Sequence, residues 1–223
     1  MKILTDKYTL RARVFPAVLG VIPFALVLKF VPIEPVLLKV VTAGIFSSAL
    51  VYLSTQFIIR IPAKMFEDWL FSNGLYMPTT NFLMYKNFEY QDQFKDNMRS
   101  QILRDFGITL SSKEEEVVDE ITARRKIKDV TKLMINKVKG GYLLLKHNYE
   151  YGFSRNLWSS SIFGLIGSLI LLYLSILNNE RTMVVTSIVF GGLYLLYVLF
   201  GFLLIKYVGK LYARKLIEEY YEN

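Results

Sequence analysis

Apolar and polar positions alternate along this chain in long blocks. Four apolar runs, Val14 to Val31, Val40 to Ile59, Trp158 to Leu177 and Met183 to Tyr207, are separated by two short links and one long polar stretch. A helix needs roughly 20 residues to cross a hydrocarbon core of about 30 Å, and each run is near that length. The strong charges within them, Lys29 and Lys206, sit near run ends, where a lysine stem can carry its ammonium back to the interface. The pattern predicts an all-α membrane protein with four transmembrane helices, arranged as two hairpins bracketing a cytosolic helical domain. Residues 1–59 then hold the N-terminal end and first hairpin, 60–156 the cytosolic domain, and 157–223 the second hairpin and a C-terminal tail.

Helical periodicity continues through the polar stretch. Ile61, Met65, Phe66 and Trp69 share one face of a short helix whose other side carries Lys64, Glu67 and Asp68, the pattern of a helix lying on a membrane surface. Asn73-Gly74 ends it, and Pro78-Thr79-Thr80 reads as a turn into a helix that a threonine can cap. Tyr90, Phe94, Met98, Ile102 and Phe106 recur every four residues, with Gly107 placed as a stop. Ser112-Lys113-Glu114-Glu115 fits a capping box. In the helix after it, Val117, Val118 and Ile121 point about 150° away from Ile127, Val130, Leu133, Met134 and Val138, which predicts a bend or break near Thr122 to Arg125.

Two of the runs contain informative polar or cyclic residues. Pro16 falls in an opening turn and is tolerated, whereas Pro23 should kink its helix or leave a carbonyl free. In the second run Gly44, Ser47, Ser48, Val51, Ser54 and Thr55 fall within an arc of about 120°. One reading is close packing through small residues and hydroxyls. The other is a pore wall lined by Ser47, Ser48, Val51, Ser54 and Thr55. The third and fourth runs carry packing faces of their own, Ser160, Ser161, Gly164, Gly167 and Ser168 in one and Ser187, Gly191, Tyr194 and Gly201 in the other.

Composition narrows the chemistry. Hydrophobic residues make up 53% of the chain, there is no cysteine, and His147 is the single histidine, so thiolate metal sites and disulfides are excluded and a catalytic triad has little to build on. No run contains an internal acid, histidine or cysteine, so no catalytic residue, metal site or cofactor is expected, and the chain is not read as an enzyme. Lys2, Lys7, Arg11 and Arg13 at one end and Lys210, Arg214 and Lys215 at the other place both termini in the cytoplasm of a multi-pass protein, with no cleavable signal peptide. Between Arg124 and Lys139 lie seven bases and one acid, and Arg124, Arg125, Lys128, Lys132 and Lys139 share an arc of about 100°. Such a face either stays solvated, rests near anionic lipid, or binds phosphates of a nucleotide or oligonucleotide while aromatics of 149–153 stack on a base. No glycine-rich phosphate loop is present, so nucleotide hydrolysis is not suggested.

At Pro78-Thr79-Thr80 and at Tyr151-Gly152-Phe153-Ser154-Arg155-Asn156-Leu157 the chain resembles the small four-span membrane effectors of bacterial anti-phage systems. These include the CBASS-associated four-span effectors and the channel subunit of the Hailong system. The resemblance implies a homo-oligomeric channel of the bacterial inner membrane, expected as a tetramer. It would be controlled by a nucleotide or single-stranded DNA oligomer and partnered by a nucleotidyltransferase. Tyr151, Gly152, Phe153, Arg155 and Asn156, at the junction between polar and apolar blocks, are then the expected couplers, with Gly152 a flexible point. The alternative is a non-conducting membrane anchor or accessory subunit that recruits a partner protein.

Overall fold

A computed structural model of the chain describes residues 9–30, 54–138 and 141–222, and these form helices and turns with no strand among the described residues. Helix α1 (Phe15–Val27) is preceded by a π-helical turn, Leu10–Val14, and followed by a 3-10 turn, Leu28–Phe30. A second π-helical segment, Ser54–Arg60, leads into α2 (Ile61–Leu70). Then come α3 (Pro78–Leu83), α4 (Asp92–Phe106), α5 (Lys113–Val118) and α6 (Glu120–Lys137). Two long helices close the chain, α7 (Tyr142–Leu177) and α8 (Arg181–Glu222). Among the described residues, three helical stretches are long and apolar enough to cross a membrane: Leu10–Phe30, Leu143–Leu177 and Arg181–Glu222. Most of the second apolar run, up to residue 53, lies outside the described residues.

The chain divides into two compact units, one of residues 1–66 and 149–205, the other of residues 67–148 and 206–223. In the first, a membrane unit by its hydropathy, α1 runs parallel to α7. Ala12 meets Asn156, Pro16 meets Ser160, and the Phe24 ring stacks on Phe163. Helix α8 returns antiparallel to α7, with Trp158 Nε1 donating to the Val198 carbonyl at 3.0 Å and the Tyr194 ring covering Gly164. A Cβ at Gly20 would lie 2.7 Å from the Ser160 carbonyl oxygen, so only glycine permits that helix contact. The outer faces are apolar and open: Leu169, Tyr173, Ile176, Val185, Ile188, Leu196, Phe200 and Leu203 are all more than half exposed, which suits lipid and not water.

The prolines of α1 explain two polar contacts in this unit. In an α-helical pattern the Ala12 carbonyl would receive the N–H of residue 16 and the Leu19 carbonyl that of residue 23; both are proline and have none. Asn156 Nδ2 donates to the Ala12 carbonyl at 2.6 Å, and the Tyr194 hydroxyl donates to the Leu19 carbonyl at 2.5 Å. Each freed carbonyl therefore takes a side-chain donor from a neighbouring helix.

The second unit gathers α3 to α6 with the first turns of α7 and the last turns of α8. Its core contains Phe82, Leu83, Met98, Ile102, Ile127, Val130 and Met134, closed by Ala213, Leu216, Ile217 and Tyr220, which are fully buried. Hydropathy reads those last four as part of a tail; instead the end of α8 completes the soluble core. Glu219 accepts from the Leu144 N–H at 3.3 Å, placing a carboxylate at the positive end of α7, and a side chain at Gly141 would collide with it. Helix α4 ends at Gly107, left-handed at φ 66°, and α5 begins with the Ser112–Glu115 capping box. The break between α5 and α6 falls at Asp119, three residues before Thr122. There φ is −139° and the Asp119 carboxylate accepts from the Thr122 N–H to cap α6. Helix α3 has Pro78 at its first turn and no side-chain cap, so neither threonine performs the expected role; Thr80 Oγ1 donates to the Gly74 carbonyl at 3.3 Å.

Two outcomes test this packing. Tyr194→Phe should destabilise the membrane unit by about 1 kcal/mol, the scale of a polar contact between membrane helices. The loss should shrink in a Pro23→Ala background, where residue 23 supplies the missing N–H; unfolding of the four proteins in mild detergent closes the cycle. In the soluble unit the Asp105 carboxyl is held below its usual range, first by its hydrogen bond from Lys137 and then by that from Tyr220. A depressed folded-state pKa contributes stability above the unfolded value of about 4 that disappears as pH falls through the folded value. Asp105→Asn should cost about 1 kcal/mol at neutral pH, with the gap to wild type closing below about pH 4 in melting curves.

Candidate functional site

Helix α6 buries one side, Ala123, Ile127, Val130 and Met134, and turns Arg125, Lys126 and Lys132 to solvent. Lys128 is half-buried, its stem lying along Gly74, where a Cβ would meet it at 3.5 Å in ordinary contact. Arg125, Lys128 and Lys132 thus share the exposed flank that the spacing predicts. Asp129 pairs with Lys132 at 2.8 Å, and its carboxyl is lowered by that hydrogen bond. Lys139 lies outside the described residues.

Arg124 does not belong to this face. It is 2% exposed, with Nε on Glu120 at 2.6 Å, Nη1 on the Leu75 carbonyl at 3.0 Å and on Asn81 Oδ1 at 2.6 Å, and its guanidinium 4.2 Å from the Tyr76 ring centroid. Its direction on the helix, about 60° from Ile127 and about 40° from Lys128, puts it at the edge of the stripe, where the 71–77 turn covers it. Three successive residues of that turn, Ser72, Asn73 and Gly74, have positive φ.

At the start of α6, a cavity of about 460 Å³ opens between the 84–88 segment and α5, lined by Met84, Phe88, Val117 and Glu120. Ion pairs Lys113–Asp92, at 2.7 Å, and Lys86–Glu120 flank it. Glu116 forms part of its wall and is buried; burial raises its carboxyl, against the Tyr85 N–H that donates to it at 2.8 Å and the Arg99 guanidinium. Beneath lies fully buried Lys95, whose ammonium donates to the Tyr85 carbonyl at 3.2 Å and to the Asn87 carbonyl, with burial lowering its pKa. Phe88, Val117 and Val118 are 96%, 84% and 87% exposed. The two valines do not pack inward as their helical phase suggests, because the break at Asp119 separates their short helix from α6.

The expected coupling residues all lie inside the unbroken helix α7, with no interruption at Gly152. Tyr151 is buried, the Arg155 guanidinium stands 6.0 Å from its ring centroid, and Phe153 is half-buried. Asn156, 1% exposed, joins α7 to α1 through its amide, and its Oδ1 has no hydrogen-bond partner among the described residues. Of the expected pore residues, Ser47, Ser48, Val51 and the side chain of Ser54 lie outside the described residues, and Thr55 is buried within the monomer. The stabilising residues that periodicity misses are Lys95, Arg99 and Glu116, which look like ordinary surface charges in the sequence. No protein-family model, curated protein or solved structure matches the chain.

Burial separates Arg124 from Arg125 and Lys132 by role. Arg124→Ala should destabilise the soluble unit by about 2 kcal/mol, because it removes a buried side chain together with its bonds to the half-buried Leu75 carbonyl, Asn81 amide and Glu120 carboxylate. Arg125→Ala and Lys132→Ala should stay within about 0.5 kcal/mol of wild type in the same thermal or denaturant unfolding experiment.

Proposed function

We propose that this chain is an oligomeric membrane channel of the bacterial inner membrane, acting as an anti-phage effector. An anionic regulator, a nucleotide or single-stranded DNA oligomer made by a partner nucleotidyltransferase, binds the exposed α6 bases Arg125, Lys128 and Lys132 together with Lys139. The observation that carries this reading is the continuity of α7 and α8. Each runs without a break from a segment able to cross a membrane into the soluble core. Binding then shifts a population between two states, as any gating ligand must by binding one of them better.

Contacts inside the membrane unit also support a fourth crossing. Lys29, at the end of α1, pairs with Glu180 at 3.0 Å in the link between α7 and α8. Phe66 of α2 stacks on Trp158, at the other end of that crossing, with ring centroids 3.6 Å apart. The chain between residues 30 and 61 has to return from one end to the other, and the run Val40 to Ile59 is long enough to do so. Both chain ends then share the cytoplasmic side, and Ser47, Ser48, Val51 and Ser54 line the pore, with Thr55 packed inside the protomer.

A second reading has its own support. The nearly bare side chains of Phe88, Val117 and Val118 suit a non-conducting anchor that recruits a partner protein. Ion flux from liposomes holding the purified chain, with and without nucleotide and single-stranded DNA oligomers, separates the two. The channel reading expects flux to change with the regulator, and a Lys128→Glu/Lys132→Glu variant to bind it at least about tenfold more weakly with a shallower salt dependence. Absence of flux under every condition favours the anchor.

A further inference from the structure

We infer that α2 lies in the membrane–water boundary and binds the lipid headgroup layer through Ile61, Met65 and Trp69. These three residues recur every four positions on one face and are 49%, 67% and 74% exposed, whereas Ala63 and Glu67 on the other face are buried. Large apolar side chains kept open at helical spacing need an apolar neighbour, and α2 continues directly from the π-helical segment Ser54–Arg60, just past the apolar run that ends at Ile59.

The depth of α2 comes from an independent contact. The Phe66 ring lies flat on Trp158, 6° from parallel, and the Trp158 indole donates to the Val198 carbonyl. Trp158 opens the uncharged stretch of α7 three residues after Arg155, and Val198 lies eight residues before Lys206, the first charge after Arg181 in α8. This level is close to the charge border of α7 and about 12 Å inside that of α8, near the membrane edge where an indole is favoured. A helix fixed there with an outward apolar face meets the headgroup–acyl boundary. Lys64, exposed on the flank of the stripe, and the interfacial level of Trp158 favour the phospholipid headgroup layer as the occupant over a second protein. The inference rests on membrane insertion alone and is independent of conduction.

Trp69 and Trp158 are the chain's two tryptophans, so fluorescence can read α2 directly. In lipid nanodiscs containing anionic phospholipid, Trp158→Phe leaves Trp69 as the sole emitter and keeps an aromatic ring against Phe66. Lipid brominated near the headgroup end of its chains should quench Trp69 roughly two-fold more than lipid brominated near the methyl end, with little quenching by aqueous acrylamide. Strong acrylamide quenching with no bromine effect would overturn the assignment. If Trp158→Phe does not fold, the difference between wild type and Trp69→Phe gives the same readout. Trp158 in Trp69→Phe also serves as the insertion control: were it untouched by either brominated lipid, membrane insertion itself, and the channel reading with it, would fail.

Discussion

Hydrocarbon offers no partner to a backbone carbonyl, and each one left unpaired costs several kcal/mol. Two oxygens facing prolines need donors here, Ala12 at the charged edge of the helix between Arg11 and Arg13 and Leu19 inside the apolar run, two turns apart on nearly the same side. The fold of the membrane unit follows from how they are met. Asn156 takes the first and fixes α7 alongside α1 in parallel; Tyr194 takes the second and fixes α8 antiparallel. A one-residue slip of α7 would rotate Asn156 by about 100° and abandon Ala12. The close approach that Gly20 permits also lets the short Ser160 hydroxyl reach the Pro16 carbonyl. Polar residues in apolar runs therefore set register here, and the apolar remainder needs only to fit.

Backbone satisfaction also governs the soluble unit, with charge in place of amide and phenol. The segment from Leu83 to Gln91 has little helix to pair its carbonyls internally, and it crosses the core side of α4. Lys95 and Arg99, one turn apart, supply donors: the ammonium to Tyr85 and Asn87, the guanidinium to Leu83 at 2.9 Å. Glu116 balances Arg99 and accepts the Tyr85 N–H, so this buried pair neutralises itself while holding a loop, and Lys95 has the half-exposed Asp92 carboxylate at 3.9 Å. A buried ion pair alone is weak support for stability. This one contributes because its spare donors and acceptors close backbone groups that water cannot reach.

Features that depend on a few neighbouring residues were legible in the sequence. The Ser112–Glu115 box, the left-handed Gly107, the every-fourth-residue stripe through Met98 and Ile102, the change of phase near residue 120 and the freed carbonyl at Pro23 all follow from local chemistry. What escaped depends on chain segments far apart. Nothing near Pro23 announces that its donor is Tyr194, and nothing near Lys95 announces that a loop's carbonyls come to rest on it. The end of α8 reads as a basic tail because Ala213, Leu216, Ile217 and Tyr220 are spaced among charges; its burial requires the core that α4 and α6 build. Arg124 shows the sharpest limit of periodicity, since a residue at the edge of a stripe goes to whichever side a neighbouring turn covers.

Those differences move the site of coupling in the proposed channel. Gly152 sits within continuous helix, so α7 joins the two units as one helical element. On α6, Lys132 has only an exposed partner in Asp129, and such a pair is worth little, so a phosphate can replace the carboxylate at small cost. Arg124 is held by four partners and stays. A polyanion on Arg125, Lys128 and Lys132 therefore pulls on α6 as a body and not on one mobile side chain. The buried face of that body, Ile127, Val130 and Met134, belongs to the same core as Leu144 of α7 and Leu216 and Ile217 of α8. Close-packed cores rearrange between discrete arrangements and resist gradual deformation. A ligand that shifts α6 thus acts on both long helices at once, through their buried ends.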